Sequence, residues 1–158
     1  MKNKVRLIYI APYLFFLGAG FALGVYMLPD LNAENSALMQ EIRAAQAQAK
    51  YTARFSRDQP GSSARYWAEG DVYISEHDIA FIGKIAPGPD YKLYLTRQQA
   101  YDQTGFLKMK SEAVLVGAVD HAGNFIQALP EHVKPDDYAA VQIWCERFST
   151  FIASARYQ

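Results

Sequence analysis

The 158-residue chain has one cysteine, Cys145, and only three histidines, His77, His121 and His132, set far apart. One thiol forms no disulfide within its own chain, and one cysteine with scattered histidines supplies no zinc pattern. There is no C-x-x-C-H for covalent haem, no C-x-x-C redox pair, no G-x-G-x-x-G, no P-loop and no G-x-S-x-G elbow. Asp120–His121 reads as turn chemistry rather than a base, and Asp136–Asp137 as a solvated turn or at most a weak cation site. Net charge is missing too: 16 basic residues balance 16 acidic ones, so no nucleic-acid partner is expected. Nothing in this inventory points to independent enzymatic turnover.

What is present begins with an asymmetry. Lys2, Lys4 and Arg6 precede LIYIAPYLFFLGAGFALGVYML, residues 7–28, which carries no charged side chain. A membrane-spanning helix needs about 20 apolar residues, whereas a signal-peptide core is shorter and ends in a small-residue cleavage site. Leu31-Asn32-Ala33 matches such a site poorly. The expectation is therefore a basic tail (1–6) and an uncleaved transmembrane signal anchor (7–28) that contacts the lipid bilayer. By the positive-inside rule the amino terminus stays in the cytoplasm and the remainder is exported. For a bacterial inner membrane, this means a single-pass protein with a periplasmic carboxy-terminal domain. Gly20 and Gly24 form a G-x-x-x-G that allows close helix contact within a membrane complex.

Pro29–Asp30 is expected to end or kink this helix. Residues 34–55 then read as an Ala-rich helical spacer, with a seam at Leu38, Ile42, Ala45, Ala49 and Thr52. The helix either merely spaces the next domain from the membrane, or uses this seam to pack on a partner or to pair with its own copy. A polar Pro/Gly/Ser linker follows at 56–63, closing a spacer-and-linker region over 29–63. Beyond it the texture changes to short alternating runs: 71–75, 78–85, 91–96, 113–119, 123–128, 139–146 and 148–155. Their spacing, with no long helical pattern between them, predicts an all-β fold over 64–158, an antiparallel β-sandwich or barrel. Asp120–Gly123 looks like a hairpin turn, and Pro87-Gly88-Pro89-Asp90 a rigid turn into the strand YKLYLT.

Cys145 lies in AAVQIWCERF. Strand alternation puts Val141, Ile143 and Cys145 on one core-directed face, with Gln142, Trp144, Glu146 and Phe148 on the other. Continuing the alternation brings Arg147 onto the Cys145 face, where a guanidinium would favour the thiolate. From the residues alone, a small buried hydrophobe and a reactive thiol both remain open.

PGPDYKLYL (87–95), VGAV (116–119), GNFIQALP (123–130), YAAVQIWCERF (138–148) and FIASA (151–155) together resemble the DM-thirteen domain, also called the electron-transfer DM domain. The resemblance implies an exported, all-β module over about residues 64–158. It makes Cys145 the redox candidate, with Trp144 and Phe148 shaping its surroundings and Pro87, Gly88, Pro89 and Asp90 forming a signature turn. The chain has no accompanying cofactor domain, so any haem or metal would come from a partner. Two readings follow: a membrane-anchored periplasmic electron-transfer accessory domain using Cys145 beside a membrane redox complex, or a structural accessory subunit docked into a respiratory or photosynthetic membrane complex, with Cys145 only packing.

Overall fold

The computed structural model describes the backbone of residues 2–120 and 122–158, and side chains other than those of 1–11, 25–35 and 121. The chain divides into two compact units, Met1–Met39 and Gln40–Gln158. A helix, α1, is assigned over Lys2–Ala47. Pro29–Asp30 does not end it: a proline removes one ladder bond, and those on either side sustain the helix. Among the described residues no helix is long and apolar enough to cross a membrane. The expected span, 7–28, lies partly outside the described side chains. Those described within it include Tyr13, Phe15, Phe16 and Phe21, each more than 70% exposed.

The unit Gln40–Gln158 is mostly antiparallel β structure, with two four-stranded sheets and a few helical pieces. Its strands are β1 (Tyr51–Phe55), β2 (Ala68–Ile74), β3 (Asp78–Ile85), β4 (Tyr91–Thr96), β5 (Val114–Val119), β6 (Phe125–Ala128), β7 (Ala140–Cys145) and β8 (Thr150–Arg156). One sheet has the order β1-β2-β3-β6 and the other β5-β4-β7-β8. A short helix, α2 (Gln103–Met109), follows β4, and the Asp102 carboxylate accepts from Gly105 N at 2.6 Å to cap it.

The expected helix over 34–55 is too long. It ends at Ala47, Lys50 N donates to Ile74 O at 2.8 Å, and Tyr51–Phe55 pairs with β2. Helix propensity loses there to an alternation that buries Phe55 completely. The β domain therefore includes a strand that lies ahead of residue 64. Ile42 and Ala45, part of the expected seam, are buried, so this stretch of the seam is already covered. The linker 56–63 is tied down as well. Ser62 Oγ donates to Ile152 O at 3.1 Å, and the Gln59 amide pairs with the Ser154 backbone.

Asp120–Gly123 is not a hairpin turn, because β5 pairs with β4 while β6 pairs with β3. The segment carries the chain from one sheet to the other; His121 lies outside the described residues. Gln127 Nε2 donates to Ala118 O at 2.6 Å and stitches the two sheet edges together there. Between the sheets, Phe55, Phe81 and Phe125 stack in series at centroid distances of 5.8 and 5.2 Å. Leu93, Val141, Ile143 and Cys145 face them from the second sheet. That sheet is also buried on its outer face, where Tyr94, Ala100, Phe106, Trp144 and Phe151 form a second cluster beneath α2. A bulge between Ile143 and Trp144 sets Trp144 opposite Phe151.

Candidate functional site

β4 and β7 are antiparallel neighbours with Tyr91 opposite Cys145. This register brings the turn that enters β4 and the turn that leaves β7 to the same end of the sheet. Pro87, Gly88, Pro89 and Asp90 are all exposed and lie over the end of β7. Two hydrogen bonds join the turns. The Cys145 thiol donates to Pro89 O at 3.1 Å, and Glu146 N donates to Asp90 O at 3.0 Å. The Pro87–Asp90 turn and Cys145 are thus in direct contact, through residues 56 positions apart in sequence.

Local geometry explains the residues of the turn. Asp90 has φ 57°, the left-handed region that aspartate tolerates better than bulky residues, and its carboxylate pairs with Lys92 Nζ at 3.0 Å. A Cβ on Gly88 would run into Tyr91 Oη and sit 2.9 Å from Cε1, so the turn closes over Tyr91 only with glycine there. Tyr91 is 3% exposed and its hydroxyl has no protein partner among the described residues. Burial, and secondarily the nearby Cys145, pushes its pKa up to about 12.

Cys145 itself is fully buried and free, within the core that contains Val141 and Ile143. The expected core-facing row is therefore in place. Arg147 is not beside it. β7 ends at Cys145 and residues 146–149 form a turn, with Ser149 N bonded to Glu146 O and Ser149 at φ 46°. Strand alternation stops there, and Arg147 is exposed. Phe148 is 54% exposed in the same turn, and Trp144 faces the opposite side of the sheet, 4.8 Å from Phe106. Neither residue packs around the sulfur; alternation sends Trp144 to the second cluster and the turn sends Phe148 to solvent.

Two features escaped the sequence reading. Tyr91 sits beside Cys145 through strand register, which no local spacing reveals. Glu146 accepts from Lys110 Nζ at 2.5 Å and from the Tyr94 hydroxyl. Burial alone would raise the pKa of Glu146, but these two bonds outweigh it and hold the carboxyl below its ordinary value. They also fix the turn after β7 against the outer face of the sheet. Elsewhere, Asp136 is engaged by Lys50 at 2.6 Å and by Tyr51, so its carboxylate already has a cation. Among the described residues no cluster of three or more metal-binding side chains occurs.

The family model described as Electron transfer DM13 matches residues 55–157. No curated protein and no solved structure matches the chain.

Proposed function

Because the chain belongs to the Electron transfer DM13 family across residues 55–157, we propose that it is a membrane-anchored, periplasmic electron-transfer accessory domain whose redox centre is Cys145. The observation that carries this reading is the S–H···O=C bond from Cys145 to Pro89, which joins the signature turn to the late cysteine. Thiol chemistry needs the sulfur to meet another molecule. The exposed turn 87–90 lies against the sulfur through the bond to Pro89 O. Under this reading it lifts when a partner docks at the sheet end, where Arg147 and Phe148 are exposed. Ligation of a haem or metal by Cys145 would demand the same movement, since the thiol is turned to Pro89 O. The anchor rests on the uncharged run 7–28 behind Lys2, Lys4 and Arg6.

The complete burial of Cys145 favours a second reading, in which the sulfur only packs and the chain serves as a structural subunit of a membrane complex. Alkylation of Cys145 in the native full-length chain, followed against pH, separates the two. Labelling faster than global unfolding, with a pH dependence set by the thiolate, supports the redox centre. Labelling that waits for denaturation removes Cys145 from the chemistry.

A further inference from the structure

A second feature lies away from Cys145 and shares no residue with its turn. Between the end of β4, α2 and the short turn Lys110–Glu112 there is a cleft of about 390 Å³. Its size falls within the range of small-molecule sites, which are concave and mostly apolar with a few placed polar groups. Met109 and Ala113 line it and pack from below against the buried Tyr94–Phe106–Trp144 cluster. Gly105 forms part of the wall. The polar contribution is lopsided. Arg97 and Lys108 are exposed on the cleft, and among the described residues neither forms an ion pair. Glu112, also on the lining, is the single carboxylate and is likewise outside any ion pair.

We propose that this cleft binds a small amphipathic organic anion, its apolar body against Met109 and Ala113 and its carboxylate or equivalent between Arg97 and Lys108. An apolar floor with two cations against the single carboxylate of Glu112, a net of one positive charge, selects for such a molecule over a neutral or cationic one of the same shape. The guanidinium offers a bidentate fork to a carboxylate, and the ammonium adds a point charge. Glu112 discourages a second negative charge at its end, which favours a monoanion. The site is independent of the redox reading, because none of its lining belongs to residues 87–90 or 145–148.

The sequence contains four methionines, and Met109 is the only one beyond residue 39. Methyl-13C-methionine NMR of the full chain in detergent therefore reports on the cleft with a single signal. Met1, Met27 and Met39 record any partition of the probe into micelles. The probes are benzoate, benzyl alcohol and benzylamine, which share a ring and differ in charge. Benzoate is expected to shift the Met109 methyl saturably, with a Kd of about 1 mM or tighter, and benzylamine to bind at least about tenfold more weakly. The double variant Arg97→Glu/Lys108→Glu should weaken benzoate by about tenfold or more. Added salt should weaken it in the parent chain, since both cations are exposed. Equal shifts from all three probes, no saturable shift at Met109, or benzoate affinity unchanged in the double variant would each overturn the proposal. The comparison of probes on the unsubstituted chain stands even if the double variant is poorly folded.

Discussion

Gly88→Ala tests the coupling between the turn and the thiol most directly. The new methyl would enter the volume of the Tyr91 ring, with Cε1 at 2.9 Å and the hydroxyl closer still. The tip of a flexible side chain could swing away, but Tyr91 is 3% exposed and held opposite both Cys145 and Val119. Relief must therefore come from the backbone of residues 87–90, which moves outward and draws Pro89 O off the sulfur. Overpacking of this kind costs about 1–3 kcal/mol. If labelling proceeds through rare opening in fast exchange, its rate follows the open population. At about 1.4 kcal/mol per factor of ten, native alkylation of Cys145 should accelerate about 5- to 150-fold. The assay pairs urea unfolding with alkylation kinetics on parent and variant. Combining Gly88→Ala with Tyr91→Phe removes the hydroxyl and leaves the ring edge, so the cost of the alanine should fall by about 0.5 kcal/mol or more. Unchanged stability together with an unchanged labelling rate would show that the turn does not cover the sulfur, and the reasoning would fail.

Other expectations concern the surroundings of this site. Glu146→Gln should destabilise the fold by about 1–2 kcal/mol at pH 7 through loss of its charge-assisted bonds to Lys110 and Tyr94. Because the folded pKa of Glu146 is lowered, its contribution is present above the unfolded value of about 4.3 and lost as pH falls through the folded value. Urea melts of parent and variant should therefore converge on acidification below about pH 4; a constant gap at all pH values would count against this account. Tyr91→Phe should leave stability unchanged or raise it by up to about 1–3 kcal/mol, since it deletes a buried hydroxyl without a protein partner. In the parent, absorbance at 295 nm should show a late phenolic titration near 12, and stability should decline between the ordinary tyrosine value of about 10 and that point. Finally, a fragment beginning at residue 64 lacks β1 and Phe55. It should be at least about 3 kcal/mol less stable than one beginning at Gln40, as read by thermal melts.

Much of the fold was legible in local pattern. The runs 78–85 and 91–96 coincide with β3 and β4, and the other five expected runs overlap strands within a few residues. Each alternates or is continuously apolar, and the pleat translates such a pattern into one or two buried faces. β7 is buried on both sides, which follows once α2 covers Trp144. The strand β1 was not legible, because YTARF continues an alanine-rich helical stretch and differs from it only by pairing with β2. α2 was missed because its seven residues are too few for a 3.6-residue period to stand out.

The candidate site divides in the same way. Its one thiol, the Pro-Gly-Pro-Asp turn and the Val–Ile–Cys face could be read from residue identity and two-residue periodicity. These are properties of neighbours along the chain, and the chain by itself determined them. That the turn lies on the sulfur, that Tyr91 stands beside it, that Arg147 turns away and that Glu146 finds Lys110 and Tyr94 were decided only by tertiary structure. Each depends on the register between β4 and β7, or on where β7 stops, and register is set by burying whole faces of a sheet at once rather than by any single residue.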